Sequence, residues 1–307
     1  MGGHVFNGQS SPIKKENIVF TIDCFLRELE RIFPKYEDCR INAIVLGSAG
    51  KKEISGDIDL GFDEKYIEDI SIWDVDKNYV DELFIKFKKR ARTATDHQLM
   101  KRAVITAIAE KINEKSELIA TDLKQSGSGV LYCQFPQYDE NYNKLDLNVQ
   151  IDINFGKPEW LKFAYYSDTY EGNIKGLHRT QLMLHMFAYK GYVFSHNYGV
   201  KNKETQEIVA NNPDEAISLL NELYGLNLNE DVLKNYYRLQ KYLHTQLFKS
   251  VLEGIYDIYL KTLDSTRCDI PEDMQEYWIS NQERLGLTGK FLPQTSNLIK
   301  YQKCQDQ

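Results

Sequence analysis

Asp57 and Asp59 stand two residues apart directly after Gly56, in the stretch Ile44-Val-Leu-Gly-Ser-Ala-Gly-Lys-Lys-Glu-Ile-Ser-Gly-Asp-Ile-Asp-Leu-Gly-Phe62. In a strand, residues i and i+2 project from one face, so the two carboxylates share a side. Like charges held that close repel unless something neutralises them. An oxygen-only donor set points to Mg²⁺ or Mn²⁺. Two acids on a surface turn are solvated and do nothing, so the surrounding residues decide between the readings. An apolar run, Ile44 to Leu46, leads into Gly47-Ser48, and Lys51-Lys52 follows before Gly56. Glycines let a backbone approach a phosphate, and a serine hydroxyl with exposed amides can bind it.

A third acid comes from Leu145 to Phe155. There Asp146, Asn148, Gln150, Asp152 and Asn154 alternate with Leu145, Leu147, Val149, Ile151 and Ile153, giving one polar and one apolar face. Asp152 is the candidate and Asp146, on the same face, its competitor. Three carboxylates on adjacent strands can hold two divalent ions roughly 3.5–4 Å apart, the arrangement that stabilises both the attacking and leaving oxygens of an in-line phosphoryl displacement. Asp57 and Asp59 would hold both ions, and Asp152 would hold the ion beside the attacking hydroxyl or take its proton. Ser48, the turn amides and Lys51 or Lys52 would hold the β- and γ-phosphates. Neither Gly-x-x-x-x-Gly-Lys-Ser/Thr nor Gly-x-Gly-x-x-Gly occurs.

The 307 residues suffice for two domains, or for one with a helical extension. The composition, 42% hydrophobic and 27% charged, is that of a soluble globular protein, and no apolar run approaches the ~20 residues of a membrane helix. Five widely spaced cysteines without a CxxC give neither a zinc site nor a disulfide framework. With no signal-peptide pattern, a cytoplasmic location is expected. A net charge of −7 argues against indiscriminate coating of nucleic acid but leaves room for a local basic groove. Residues 86–102 are the candidate: Lys86, Lys88, Lys89, Arg90, Arg92, Lys101 and Arg102 face only Asp96. They read either as a solvated helix face or as a contact for phosphates.

The elements that must position these groups follow from periodicity. Residues 1–15 read as a loose arm and 16–33 as a helix stopped by Pro34. Strands are expected over 41–47, 57–62, 130–136 and 145–155, with helices over 79–93 and 97–114 and an irregular acidic stretch at 63–78. From Pro158 onward the pattern is mostly helical, with a hairpin over 192–210 and a helix over 213–224 begun by Asn212 with Pro213 at its first position. Lys175 and Arg179, four apart, read as a solvated helix face, and His178 and His185 as core or surface residues.

Gly47-Ser48 with Gly56-Asp57-Ile58-Asp59 and a later strand aspartate, Asp152, resembles the signature of the nucleotidyltransferase superfamily built on the DNA polymerase β palm, and most resembles family X DNA polymerases. Lys51 to Asp57 is similar to that family's basic turn, one residue shorter. Val130–Pro136 and Gln150–Asn154 resemble the hairpin that delivers its third aspartate. Tyr165-Tyr166-Ser167-Asp168-Thr169 with Asn173 resembles its nucleotide-contacting segment, and Lys190-Gly191-Tyr192 with Ser195 and Tyr198-Gly199 resembles its thumb. The likeness spans roughly residues 41–224. Residues 1–40 show no helix-hairpin-helix module, Asp168 stands where the family has glycine, and Lys51-Lys52 replaces an arginine pair, a point charge in place of a bidentate fork.

The resemblance implies an α+β fold: a palm with a mixed sheet over 41–157 after an arm and helix (1–40), a thumb-like region (158–225) and a helical C-terminal extension (226–307). It implies a transferase that moves a nucleoside monophosphate from an NTP or dNTP to a hydroxyl and releases pyrophosphate, using two Mg²⁺ or Mn²⁺ ions. The expected site is Asp57, Asp59 and Asp152 as catalytic metal ligands, with Gly47, Ser48, Lys51, Lys52, Gly56, Tyr165, Tyr166 and Asn173 at the nucleotide. Lys88, Lys89, Arg90 and Arg92 are candidates for nucleic-acid contact. A nucleic-acid 3′ end is the first acceptor expected. A small-molecule or protein hydroxyl, as in the antibiotic-modifying and toxin-like branches, and a degenerate nucleotide-binding palm are the alternatives.

Overall fold

The computed structural model describes residues 5–287 apart from 7, 93, 128, 167–176 and 267–273. The chain is mixed α/β, and it divides into two compact units after Pro158.

In the first unit, β1 (Ile13–Lys14) precedes helix α1 (Lys15–Ile32) and the short α2 (Glu37–Ile41). Strands β2 (Ile44–Leu46), β3 (Ile54–Ser55) and β4 (Ile58–Asp63) follow. The stretch expected to be irregular instead forms α3 (Lys65–Glu68) and a 3-10 turn (Ile70–Trp73), and leads into α4 (Lys77–Lys88) and α5 (Asp96–Lys115). Strands β5 (Ala120–Thr121), β6 (Val130–Tyr138) and β7 (Lys144–Gly156) complete it. Five strands make one mixed sheet in the order β2-β4-β7-β6-β5, with β4 and β7 parallel and the other pairs antiparallel.

Period-two alternation gives this sheet its two faces. Ile58, Leu60 and Phe62 of β4, Ile151, Ile153 and Phe155 of β7, and Leu131, Cys133 and Phe135 of β6 are buried in one cluster with α1 and α5. Each such side chain contributes roughly 1.5–3 kcal/mol by leaving water. Helix α1 supplies Ile18, Phe25, Leu26, Leu29 and Ile32 at helical spacing, with the Phe25 ring edge-on to Phe135 at 5.3 Å. Helix α5 begins with a capping box, in which Thr95 Oγ1 accepts from Gln98 N and the Gln98 side chain accepts from Thr95 N. The opposite face carries Asp59, Gly61, Gln150, Asp152, Asn154, Tyr132 and Gln134.

The N-terminal arm is tied down, contrary to the expectation of a loose segment. Ser11 N donates to Asn148 O at 2.7 Å, Gln134 Nε2 donates to Ser10 Oγ at 3.0 Å, and Val5 N donates to Gln150 Oε1 at 3.1 Å. β1 then pairs with β3, which pins the turn that follows β2. A buried polar backbone needs such partners, and the polar face of β6 and β7 provides them.

The second unit holds α6 (Pro158–Ala164), α7 (Leu177–Tyr189), and a small antiparallel sheet of β8 (Tyr192–Ser195), β9 (Gly199–Asn202) and β10 (Ile208–Ala210). The expected hairpin thus gains a third strand, in the order β10-β9-β8. Then come α8 (Pro213–Tyr224), α9 (Glu230–Leu233), α10 (Tyr236–Gln246), α11 (Lys249–Thr266) and α12 (Gln275–Leu285). Asn212 caps α8 by accepting from Glu215 N at 2.9 Å, and Gly225, at φ +64°, ends it. This unit has its own core, built from Trp160, Met183, Phe187, Leu220, Leu239, Tyr259 and their neighbours. Among the described residues, no helix is long and apolar enough to cross a membrane.

Candidate active site

Strand register brings two of the sequence-nominated acids together. Asp59 on β4 is the direct partner of Asp152 on the parallel strand β7. Neighbouring strands lie about 4.8 Å apart, and paired residues point to the same side, so the two carboxylates stand next to each other on the polar face. Asp57 immediately precedes β4, and its charge reaches both of them. Asp146 is exposed and lies six residues back along β7, about 20 Å at strand rise.

The first unit also folds the Gly47–Ser48 turn against the acids. Leu46, the last residue of β2, is paired with Asp59. At Gly47 a Cβ would meet Asp59 Oδ2 at 2.7 Å, and the backbone there is left-handed (φ +63°). Both facts require glycine: the carboxylate occupies the space a side chain would need, and L side chains resist that conformation. Ser48 follows, its carbonyl accepting from Lys51 N at 3.1 Å and from the Ser55 hydroxyl at 3.4 Å, so Lys51, Lys52 and Gly56 belong to one tethered turn.

Electrostatics set this cluster apart. Asp59 is pushed up to about 8, first by burial, then by Asp57. A hydrogen bond from Asn154 opposes the shift. Asp152 is also raised well above the carboxylate range, first by burial, then by Asp59 and Asp57, against a 2.9 Å hydrogen bond from Gln150 Nε2 to its Oδ1. No lysine or arginine among the described residues pairs with Asp59 or Asp152. Recessed like charges, all oxygen donors, with no lysine or arginine of the described residues paired to Asp59 or Asp152, are the chemistry a divalent cation fits. Asp57, Asp59 and Asp152 are the residues that would hold it.

A second acidic set lies elsewhere. Glu64, Glu68 and His97 have ligand atoms all within 4.8 Å of one another. Glu64 follows the far end of β4, and the buried Lys101 ammonium already holds its carboxylate at 2.5 Å. An added cation there would face that ammonium directly.

The remaining nominated residues are placed separately. Tyr165 and Tyr166 belong to the second unit, and Asn173 lies outside the described residues. Tyr165 donates to Asn197 Oδ1 at 3.3 Å, and its ring meets that of His196 at 5.1 Å. Tyr166 lies under the Arg179 guanidinium at 5.7 Å. Lys88, Lys89, Arg90 and Arg92 stand at the α4–α5 turn, all exposed, with Lys88 paired to Asp96 at 2.7 Å. Because α5 packs on the apolar face with Leu60 and Ile153, this basic turn belongs to the helix layer, not to the face that carries the acids. Two expectations of solvated charge are corrected. Lys101 is 2% exposed and bound to Glu64. Arg179 is 3% exposed, with Nε on Leu233 O and Nη1 on Phe163 O.

Gln150, Asn154 and Tyr132 are further neighbours of the acids, not expected from the sequence. The alternation over 145–155 already put Gln150 and Asn154 on the Asp152 face. Tyr132 had no comparable signal, since only register makes it the partner of Asp152.

No protein-family model matches the chain, and no curated protein gives a significant match. Among solved structures, the chain is similar to a crystal structure of Leishmania infantum polymerase beta in a ternary P/T complex, at 13% identity and a TM-score of 0.40, over 75% of this chain and 78% of that one. At that level of similarity, the functional reading rests on the site.

Proposed function

We propose that the protein is a metal-dependent nucleotidyltransferase that moves a nucleoside monophosphate from an NTP or dNTP to a nucleic-acid 3′ hydroxyl and releases pyrophosphate. The observation that carries this reading is Asp59 beside Asp152 in parallel register, with Gly47–Ser48 folded onto Asp59. The mixed sheet of the first unit then serves as the palm, and the second unit contains the thumb-like region and the helical extension.

Mg²⁺ or Mn²⁺, when bound by Asp57, Asp59 and Asp152, supplies positive charge to the transferring phosphoryl group. The rest falls to the chain. The turn from Ser48 to Gly56 binds the β- and γ-phosphates through amides, the Ser48 hydroxyl and Lys51 or Lys52. Asp152 takes the proton of the acceptor hydroxyl as its oxygen bonds to the α-phosphorus and the bond to the bridging oxygen breaks. The electron pair of that bond leaves with pyrophosphate toward the turn. Gln150 and Asn154 keep the two inner carboxylates oriented.

The test uses α-phosphate-labelled NTPs or dNTPs with Mg²⁺ or Mn²⁺ and primed or unprimed oligonucleotides. Label should enter the oligonucleotide and Asp57→Ala should abolish its transfer. Pyrophosphate release without labelled oligonucleotide would move the acceptor to a small molecule or protein. Absence of both turnover and metal-dependent nucleotide binding would sink the reading.

A further inference from the structure

At one level of the polar face, register lines up Leu46, Asp59, Asp152 and Tyr132, on β2, β4, β7 and β6 in turn. One flank of the acids, at the end of β2, is the Gly47–Ser48 turn. The other flank is Tyr132. An in-line displacement puts the attacking and leaving oxygens on opposite sides of the phosphorus. With pyrophosphate leaving toward the turn, the acceptor approaches from the β6 side.

We propose that Tyr132 forms the acceptor side of the site, its ring packing against the sugar or base of the terminal nucleoside of a nucleic-acid strand whose 3′ hydroxyl is presented to Asp152. This rests on the nucleotidyl-transfer reading and adds a residue that positions its acceptor.

Tyr132 is partly exposed, and its hydroxyl takes no hydrogen bond among the described residues. Its backbone is fixed on both sides: its N–H donates to Ser126 Oγ at 3.2 Å, and its carbonyl accepts from Asp122 N at 3.1 Å. The side chain is therefore aimed rather than free to swing to the core. Burial first, then the charges of Asp152, Asp59 and Asp57, push the Tyr132 hydroxyl above the ordinary tyrosine range. The next residue along that face, Gln134, is 8% exposed and bound to Ser10 of the N-terminal arm. Beside three carboxylates an acceptor phosphate would be repelled, whereas a neutral sugar or base against an aromatic ring is favourable.

The experiment measures binding of a 5′-labelled primer–template with a dideoxy 3′ end to the full chain in Mg²⁺ by fluorescence anisotropy, for wild type, Tyr132→Val, Tyr132→Phe and Tyr132→Trp. Valine keeps the strand preference, and a matched melting temperature establishes folding. Tyr132→Val should weaken oligonucleotide binding about tenfold and leave NTP binding within twofold, while Phe and Trp should bind as wild type does. If Tyr132→Val binds the oligonucleotide as tightly as wild type, or loses the nucleotide instead, the inference is wrong. Should the valine variant fail to fold, Phe and Trp decide: equal loss in both would overturn a ring contact. A wild-type protein that binds no oligonucleotide also overturns it. Tyr132-dependent binding without label transfer would retire the transferase reading and keep the contact. Label transfer indifferent to Tyr132 would do the reverse.

Discussion

On the polar face of the sheet, Asp59 and Asp152 stand side by side, recessed, with no cation of the described chain paired to them. In the second unit Arg179 is buried at least as deeply, yet its guanidinium is bound to the carbonyls of Leu233 and Phe163 and covered by the Phe163 ring at 4.8 Å. Burial pulls Arg179 down to about 10 and pushes Asp59 up to about 8. The arginine has been given internal partners and joins α6, α7 and α9. The acids have been given only partial ones, from Gln150 and Asn154. A buried charge wired to backbone is a structural device, and a buried charge left short of partners is a binding one.

The largest effect that would break this contrast is on turnover. Asp59→Asn should lower label transfer at least ~10³-fold, yet raise the melting temperature in chelator by a few degrees, of order 1 kcal/mol. A variant less stable than wild type would show that the acid is structural after all. Gly47→Ala comes next. A methyl group within 2.7 Å of Asp59 Oδ2 at φ +63° must move the carboxylate, and a displacement on the ångström scale can cost about 10²-fold in rate. In the second unit, Arg179→Met should destabilise by roughly 2–5 kcal/mol in chemical denaturation, since two carbonyls lose their donor. Arg179→Lys should recover part of that loss.

pH sharpens the same comparison with opposite signs. In chelator, folded Asp59 holds its proton up to about 8, whereas the unfolded chain releases it near the ordinary 3.8, so stability falls as pH rises between those values. Added Mg²⁺ should flatten that slope. His196 behaves oppositely. Burial, then Arg179, depress it from 6.5 to about 4, so the unfolded state binds a proton that the folded state refuses. Stability is complete above 6.5 and should fall by roughly 1–3 kcal/mol as pH drops toward 4. His196→Gln should abolish that fall in melting curves recorded across the range.

The smallest effect concerns the basic turn. Replacing Lys88, Lys89, Arg90 and Arg92 with alanine should change oligonucleotide affinity less than twofold, because these residues lie on the helix layer. Weaker binding with a flatter salt dependence would return them to the interface.

The contrast also marks what a sequence can reveal. Strand alternation over 145–155 and the Gly-Asp-x-Asp spacing are local patterns, and the structure puts both on the polar face of one mixed sheet. Asn212 and Pro213 likewise announced α8. Arg179 could not be read this way, because the carbonyls that hold it come from Phe163 and Leu233, 16 and 54 residues away. Lys101 sat in a basic run that resembled a solvated face until the end of β4 delivered Glu64. Tyr132 is an ordinary strand aromatic until register pairs it with Asp152. In each case long-range pairing, which periodicity does not encode, decided the environment.

The tethered arm has a consequence for how the molecule is made. Val5 bonds to Gln150, 145 residues later, and Ser10 to Gln134, 124 residues later. Asp59 waits for Asp152 in the same way. During synthesis the arm thus has no resting place until β6 and β7 emerge. Docking of the arm, closure of the sheet and assembly of the acid cluster should fall in one late, slow step. A chain stopped before residue 130 lacks β6 and should leave the apolar face of α1 without the strand it packs on.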